Sequence, residues 1–407
     1  MELYCAPGNP GTASLATNLP VAADDLDRLA DAADMLAIDL TVIGPEIPLA
    51  LGLADRLRAE GKAVLGPSAA AARLEASKAF AKQLMESAGV PTAPSATFTS
   101  LSPALQYVAS HPEPLVVKAS GLAAGKGAVV CSTRQEAVGA LRSMLQAGEF
   151  GEAGMTVVVE GYLEGEEISV LALTDGSEME LLPVSQDHKR LLPGDLGPNT
   201  GGMGAYSPVS LAGPELLARV QREILSPTLD AMGRLETPFT GVLYAGLMVD
   251  RAGAPWVVEF NCRLGDPETQ AILPLVTGGL TDCLWRIAHG ERPSRIEIDS
   301  GAAVATVLAS RGYPEHSEPG ASISIPDQLP EGVTIFHAGT ARSADGVLRV
   351  KGGRVLAVTG TGDRFTEAQQ RSRAAAELVD YDGKIFRPDI GWREAARLQS
   401  RQPVVTP

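Results

Sequence analysis

Leu115-Val116-Val117-Lys118-Ala119-Ser120-Gly121-Leu122-Ala123-Ala124-Gly125-Lys126-Gly127-Ala128-Val129-Val130-Cys131 sets a glycine-rich loop between two short apolar runs. Glycine lets successive backbone N–H groups turn toward an anion, and Lys118 and Lys126 add positive charge. A P-loop reads GxxxxGK[ST] and opens a helix. Here Gly121 and Gly125 stand too close together, and Gly127 occupies the place of the metal-holding Ser or Thr. The runs on either side read as strands. The stretch is therefore a β-loop-β lid over a triphosphate, or else an ordinary glycine-rich hairpin.

Working outward, the strands continue at 156–159, 168–173 and 180–184, with a helix near 134–147, as in an antiparallel α+β unit. Upstream, residues 1–75 alternate strand and helix. Leu26, Leu29, Ala30, Ala33, Leu36 and Ala37 share one helical face. Leu40–Ile43 and Ala63–Leu65 are buried-strand runs ending at Gly44-Pro45-Glu46 and Gly66-Pro67-Ser68. That order predicts a parallel α/β sheet, whose ligands lie at the carboxyl ends of its strands. One helix is expected over 70–88, and the Pro-, Ser- and Thr-rich stretch 92–114 reads as a connector. Downstream come a loop over 186–205, a helix near 214–235, and strands at 241–250 and 254–261. A β-rich tail begins near 300, with a strand at 354–359 and a helix near 366–379.

Composition narrows the function. The 407 residues are 45% hydrophobic and 20% charged, which is globular, and with aromatics at 4% the core must pack on aliphatic side chains. The net charge of −15 comes without a basic run, which argues against nucleic acid or an anionic membrane surface as partner. A small anion remains open if a few cations converge. The four cysteines lack CxxC spacing and suit a reducing cytoplasm. No segment approaches the roughly 18 apolar residues of a membrane span, and the first residues do not read as a signal peptide.

Three more constellations carry chemistry. Glu160-Gly161-Tyr162-Leu163-Glu164-Gly165-Glu166-Glu167 follows an apolar strand and reads as a nucleotide-base and ribose pocket or as a polar hairpin. In Val257-Val258-Glu259-Phe260-Asn261-Cys262-Arg263, strand period puts Glu259 and Asn261 on one face as hard oxygen donors, with Arg263 beside them if the strand persists. The loop with Ser185–Arg190 and Gly197–Pro208 is long enough to read as a binding loop. Its His188 reads as a hydrogen-bonded loop histidine, since no nucleophile partner is evident.

Taken together, these segments resemble the ATP-grasp superfamily and, within it, the phosphoribosylamine–glycine ligase family. Ala6–Thr12, Gly44–Glu46, Ser77–Phe80, the Lys118–Gly127 loop, Ser185–Arg190, Gly197–Pro208 and Glu259–Glu268 match in order. The string Gly197-Pro198-Asn199-Thr200-Gly201-Gly202-Met203-Gly204-Ala205-Tyr206-Ser207-Pro208 is the most specific. The resemblance implies an α/β and α+β multidomain chain with an ATP-grasp fold. An N-terminal parallel α/β domain would cover 1–76, an ATP-grasp core 77–300 with a lid at about 96–167, and a small β-rich domain 301–407. It also implies that a first strand and a glycine-rich loop usual in the family are missing ahead of Met1.

The resemblance further assigns roles. Lys78 and Lys118 would hold ATP phosphates beneath Gly121, Gly125, Lys126 and Gly127. Glu160 and Tyr162 would line the adenine pocket, with Glu167 at the ribose. Glu259 and Asn261 would ligate Mg²⁺ or Mn²⁺. Gly8, Asn9, Glu46, Asp187, Lys189, Asn199, Thr200, Gly201, Gly202, Met203 and Asp266 would surround glycine and 5-phosphoribosylamine. Lys118, Arg263 and Asp187 would serve the chemistry. The expected reaction makes glycinamide ribonucleotide, ADP and phosphate through a glycyl phosphate, in a cytoplasmic monomer. One departure is at Gly246-Leu247-Met248, where many ATP-grasp enzymes carry a further acidic ligand. An ATP-binding paralogue without ligase activity is the alternative. The Gly197–Gly204 string argues against a carboxylase-like relative.

Overall fold

The structure is a computed structural model that describes residues 1–123 and 126–400. At its start, β1 (Tyr4–Cys5) and β2 (Thr17–Asn18) pair in parallel. Asp25 caps α1 (Leu26–Met35) by accepting from the Arg28 N–H. Next come β3 (Thr41–Val42), α2 (Glu46–Ala50), α3 (Leu53–Ala59) and β4 (Val64–Leu65), with β3 and β4 paired in parallel. The expected parallel α/β arrangement is present, with strands only two residues long.

The single helix expected over 70–88 is two helices, α4 (Ala69–Ala76) and α5 (Lys78–Ala88), broken at Ser77 (φ −142°, ψ 99°). Ser77 caps α5 by accepting from the Phe80 N–H. Beyond the break, the Lys78 N–H donates to the Ser120 carbonyl at 2.8 Å and the Ala79 N–H to Ser120 Oγ at 3.1 Å. Orphan donors of a helix start are thus satisfied by the opening of the glycine loop. Local periodicity could not show this break, because the acceptor lies some 40 residues downstream.

The lid follows: β5 (Ser95–Phe98), α6 (Leu101–Ser110), β6 (Leu115–Ala119), β7 (Ala128–Cys131), α7 (Arg134–Leu145) and β8 (Val157–Gly161). Its antiparallel sheet runs β5-β8-β6-β7, as the strand–loop–strand reading predicted. Ala104, Val108, Leu141 and Met144 of the two helices pack on Val117 and Val159. The stretch expected as a connector thus supplies an edge strand and a helix; Ser95 and Thr97 had masked the strand.

The central sheet runs β10-β9-β15-β16, from β9 (Glu166–Thr174), β10 (Met179–Leu181), β15 (Gly241–Val249) and β16 (Pro255–Asn261). β15 is buried on both faces. Leu243, Ala245 and Leu247 join the larger core with Val220, Ile224 and Met232, while Val242 and Tyr244 face Cys283 and Ile287. Its continuous apolar run follows from that double burial.

Between these strands, the expected loop over 186–205 holds β11 (Gln186–Asp187), the hairpin β12 (Arg190–Leu192) and β13 (Leu196–Asn199), and β14 (Gly204–Ser207). Single strands this short leave no run of apolar residues to read. The helix near 214–235 is α8 (Pro214–Val220) running through a π turn (Gln221–Leu225) into α9 (Ser226–Arg234). Pro227 has no N–H to donate back to the preceding turn, which accounts for the irregularity.

The rest of the chain comprises α10 (Glu268–Ile272), β17 (Val276–Gly278), α11 (Leu280–Ala288), β18 (Glu297–Ile298), β19 (Ala302–Ala309), β20 (Val333–His337), β21 (Thr340–Arg342), β22 (Leu348–Val350), β23 (Arg354–Gly362), α12 (Phe365–Leu378) and α13 (Trp392–Ser400). The five-stranded sheet β11-β14-β19-β23-β20 draws strands from both sides of residue 300. The tail therefore reaches back to the 186–207 segment rather than folding as a separate sheet. Among the described residues, no helix is long and apolar enough to cross a membrane.

One buried cation ties these pieces together. Arg387 is fully buried and donates to Asp195 (2.9 Å), the Arg190 carbonyl (3.0 Å) and both oxygens of Asp389 (2.9 and 2.8 Å). Removing it would leave Asp389 without its cation and Asp195 with Arg393 alone, so Arg387→Met is expected to destabilise the fold by about 3 kcal/mol in urea unfolding. A loss below about 1 kcal/mol would contradict the assigned network.

Candidate active site

A cavity of about 840 Å³ lies between the lid sheet, the end of β16 and the 186–205 segment. α5 presents Lys78 and Lys82 to it, one helical turn apart. In the lid, Lys118 of β6 pairs in register with Val158 and Val116 pairs with Glu160, so Lys118 and Glu160 share a face. The Glu160 carboxylate takes Lys118 on one oxygen and Lys82 on the other, the latter at 2.5 Å. Lys118 also donates to the Val258 carbonyl at 3.0 Å. Lys78 reaches the Gly121 carbonyl at 3.4 Å. Burial pulls its ammonium below the usual lysine range, against the opposing charge of Glu259.

Glu259 and Asn261 both line the cavity, as strand period requires. Burial alone would raise the Glu259 carboxyl, yet Lys189, Lys118, Lys78 and Arg263 outweigh it and hold the group below its usual range. The strand ends at Asn261, so Arg263 does not continue that face as expected. Its guanidinium instead binds Glu46 at 2.9 Å and Glu75 at 3.0 Å.

The opposite wall comes from the 186–205 segment. Lys189 pairs with Glu167 and lies 3.8 Å from Glu259. Burial would lower its ammonium, but Glu167, Asp187 and Glu259 hold it well above the ordinary lysine value. The Asp187 carboxyl is pushed well up by burial, with Lys189 opposing and Glu167, Glu268 and Glu259 adding to the rise. Thr200 Oγ1 donates to the Lys189 carbonyl at 2.8 Å. Asn199 and Gly201 also face the cavity, and the Gly201 N–H donates to the Tyr313 hydroxyl at 2.9 Å. Asp266 accepts from Arg354 at 3.0 Å, and Arg354 also donates to the Gly201 and Asp266 carbonyls, each at 2.6 Å.

The far end is apolar: Met85, Val116, Val158, Leu163, Met248 and Phe260 form a slot, with Tyr162 half-exposed at its rim. Gly127 lines the cavity. Gly121 packs against Ala153, where a Cβ would come within 2.6 Å of backbone. Gly125 lies outside the described residues.

Several expected site residues are not brought to the cavity. Lys126 is exposed and does not line it. Asn9 spends its amide on structure, accepting from the Gly11 and Thr12 N–H groups and donating to the His337 carbonyl. Gly8 turns with φ +72° against Asn18. Gly202 packs on Pro267, and Met203 is wholly buried in the core. His188 is a buried structural histidine whose Nε2 accepts from the Gly391 N–H at 2.8 Å. Lining residues that sequence reasoning missed include Lys82, Glu75, Tyr244, Glu268, Arg354 and Arg393. The i,i+4 spacing from Lys78 could have found Lys82. Glu268 is held by the Tyr244 hydroxyl at 2.6 Å, a partner on a distant strand.

The raised Asp187 carboxyl has a consequence for stability. Between the ordinary Asp value of about 4 and its own higher value, the folded chain holds a proton that the unfolded chain has released. Stability therefore falls as pH rises through that window. Asp187→Asn is expected to gain about 1 kcal/mol at neutral pH and to flatten the decline. Thermal melts of both proteins from pH 4 to 8 check this, and a less stable variant at pH 7 would contradict it.

Family models for phosphoribosylglycinamide synthetase match in three parts: the N domain over 1–75, the ATP-grasp (A) domain over 76–269 and the C domain over 303–393. The chain is 46% identical to phosphoribosylamine--glycine ligase of Xanthomonas campestris pv. campestris, covering 98% of this chain and 94% of that one. It is likewise 46% identical to the protein of that name from Nostoc sp., over 96% and 93%. The crystal structure of phosphoribosylamine--glycine ligase from Thermotoga maritima superposes with a TM-score of 0.82 at 34% identity, covering 96% and 94%. Biotin carboxylase from Campylobacter jejuni reaches a TM-score of 0.71 at 17% identity over 89% and 80%, a likeness of fold.

Proposed function

The chain belongs to the phosphoribosylglycinamide synthetase family, and on that premise we propose how its cavity carries out the ligation. It is an ATP-dependent ligase that joins glycine to 5-phosphoribosylamine. A carboxylate is a poor electrophile, so the glycine oxygen first takes the γ-phosphoryl group of ATP, leaving ADP and a glycyl phosphate. The amine of phosphoribosylamine then attacks the acyl carbon. The C–O bond to phosphate breaks as the amide forms, and a proton leaves the nitrogen.

The observation that carries this reading is that Lys78, Lys118, Lys189 and Arg263 line one cavity with Glu259, Lys189 lying 3.8 Å from its carboxylate, beside an apolar slot. The slot suits the adenine ring, with Tyr162 at its rim and Glu160 at its base. Lys78 and Lys118 stabilise the charge of the transferring phosphoryl group, with Leu122, Ala123 and Gly127 at the same wall of the cavity. Glu167 can exchange its partner Lys189 for a ribose hydroxyl. Asp187, Lys189, Asn199, Thr200, Gly201 and Asp266 surround the two smaller substrates. Arg263, braced by Glu46 and Glu75, keeps a fixed cation near the developing acyl phosphate.

A divalent cation fits Glu259 and Asn261. Surrounding cations hold the Glu259 carboxyl below its usual range, and Asn261 adds a second oxygen from the same strand face. Among the described residues no cluster of three or more His, Cys, Asp or Glu could hold a metal. A two-donor site completed by phosphates and water is the habit of Mg²⁺, with Mn²⁺ as a substitute. When bound, the ion would neutralise phosphate charge. The lid sheet shields the acyl phosphate from water. Four free cysteines support a reducing cytoplasmic setting; the chain is proposed to act there as a monomer.

ADP release measured with glycine and phosphoribosylamine each omitted in turn tests the reading. Release is expected to depend on glycine, and amide product on both substrates. Nucleotide binding without glycine-dependent turnover would instead select the ATP-binding paralogue. Glu259→Ala is expected to lower turnover roughly 100-fold or more with an unchanged melting temperature. A near-normal rate would refute the metal assignment.

A further inference from the structure

Lys82 lines the cavity, yet it is almost completely buried. Its Nζ has three N–H donors and three acceptors around it: Thr92 Oγ1 at 2.7 Å, the Ala93 carbonyl at 3.2 Å and Glu160 Oε2 at 2.5 Å. Two of its donors thus go to hydrogen bonds with Thr92 and Ala93 and its charge to an ion pair with Glu160, so the ammonium is engaged within the protein. Lys118 differs, with the Val258 carbonyl and Glu160 as partners and one donor direction remaining.

The three acceptors of Lys82 come from two places. Thr92 and Ala93 lie on the segment that leaves α5 and enters the lid at β5. That segment is stitched to β16: the Thr92 hydroxyl donates to the Val257 carbonyl at 2.7 Å, and the Val257 N–H donates to the Pro91 carbonyl at 2.8 Å. Glu160 lies on β8, inside the lid. One ammonium on a core helix thus joins the hinge and the lid.

We propose that Lys82 is a positioning residue of the nucleotide site, latching hinge to lid and holding Glu160 so that Lys118 faces the phosphates. The physical reason is charge count. Glu160 is 4% exposed and needs both of its cations in so dry a place. Without Lys82, the carboxylate has only Lys118 to neutralise it, and Lys118 turns fully toward Glu160 and away from the ligand. The lid also loses its tie to Thr92 and Ala93. The effect reaches ATP alone, because Lys82 makes no contact with the 186–205 wall.

The inference rests on the nucleotide reading of the cavity, and the experiment separates the two. Binding of a non-hydrolysable ATP analogue is measured by calorimetry for Lys82→Met, Thr92→Val and Lys118→Met, with KM values for glycine and phosphoribosylamine and a thermal melt for each. Lys82→Met is expected to weaken the analogue about tenfold or more while changing the other two KM values less than about twofold. Thr92→Val, which removes one of the three acceptors, is expected to shift analogue binding in the same direction by about two- to fivefold. If Lys82→Met fails to fold, Thr92→Val decides by the same criterion. Unchanged analogue affinity in folded protein, or equal losses for all three substrates, would overturn the proposal. Loss in Lys118→Met without loss in Lys82→Met sinks the latch alone. No loss in Lys118→Met sinks the nucleotide reading itself.

Discussion

The carboxyl of half-buried Glu259 is held below its usual range by the charge of four cations from four separate stretches of chain. Lys78 comes from the start of α5, Lys118 from β6, Lys189 from the turn after β11, and Arg263 from just past β16. A lone carboxylate taken out of water would take up a proton, and lysines buried alone would shed theirs. The cations favour the charged form of Glu259. Helix break, lid sheet and strand end all serve to deliver these side chains to one place.

The same balance accounts for how an acidic chain can receive anionic substrates. Cations and carboxylates alternate around the cavity: Lys82–Glu160–Lys118 on the lid side, Glu167–Lys189–Glu259 on the opposite wall, and Glu46–Arg263–Glu75 behind. The ligand-free site is thus internally neutralised. Phosphates can then take over partners already positioned, rather than recruit cations from solvent, which lowers the reorganisation needed at the transition state. Asp187 stands outside these pairs, and burial pushes its carboxyl well up.

Much of this was readable from local pattern. The β-loop-β arrangement at 115–131, the strand carrying Glu259 and Asn261, and the parallel pair at the N-terminal end follow from periodicity and glycine placement. What escaped depended on distant partners. Ser77 breaks a good helical pattern because Ser120 supplies the acceptors. β14 exists because β19 offers an edge, and β11 then pairs with β14. Arg354 reaches the cavity from β23 with nothing in Gly352-Gly353-Arg354 to announce it. Asn9 and Met203 matched specific strings, yet their side chains serve turn and core. A motif match located the neighbourhood without saying which side chain faces inward.

The cluster around Glu259 is positioned to support phosphoryl transfer to glycine itself. Glycine labelled with ¹⁸O in both carboxylate oxygens, supplied with ATP and 5-phosphoribosylamine, tests it most directly. Mass spectrometry of the inorganic phosphate should find one labelled oxygen per turnover, carried over when the acyl phosphate is cleaved. Unlabelled phosphate alongside glycinamide ribonucleotide would contradict the account.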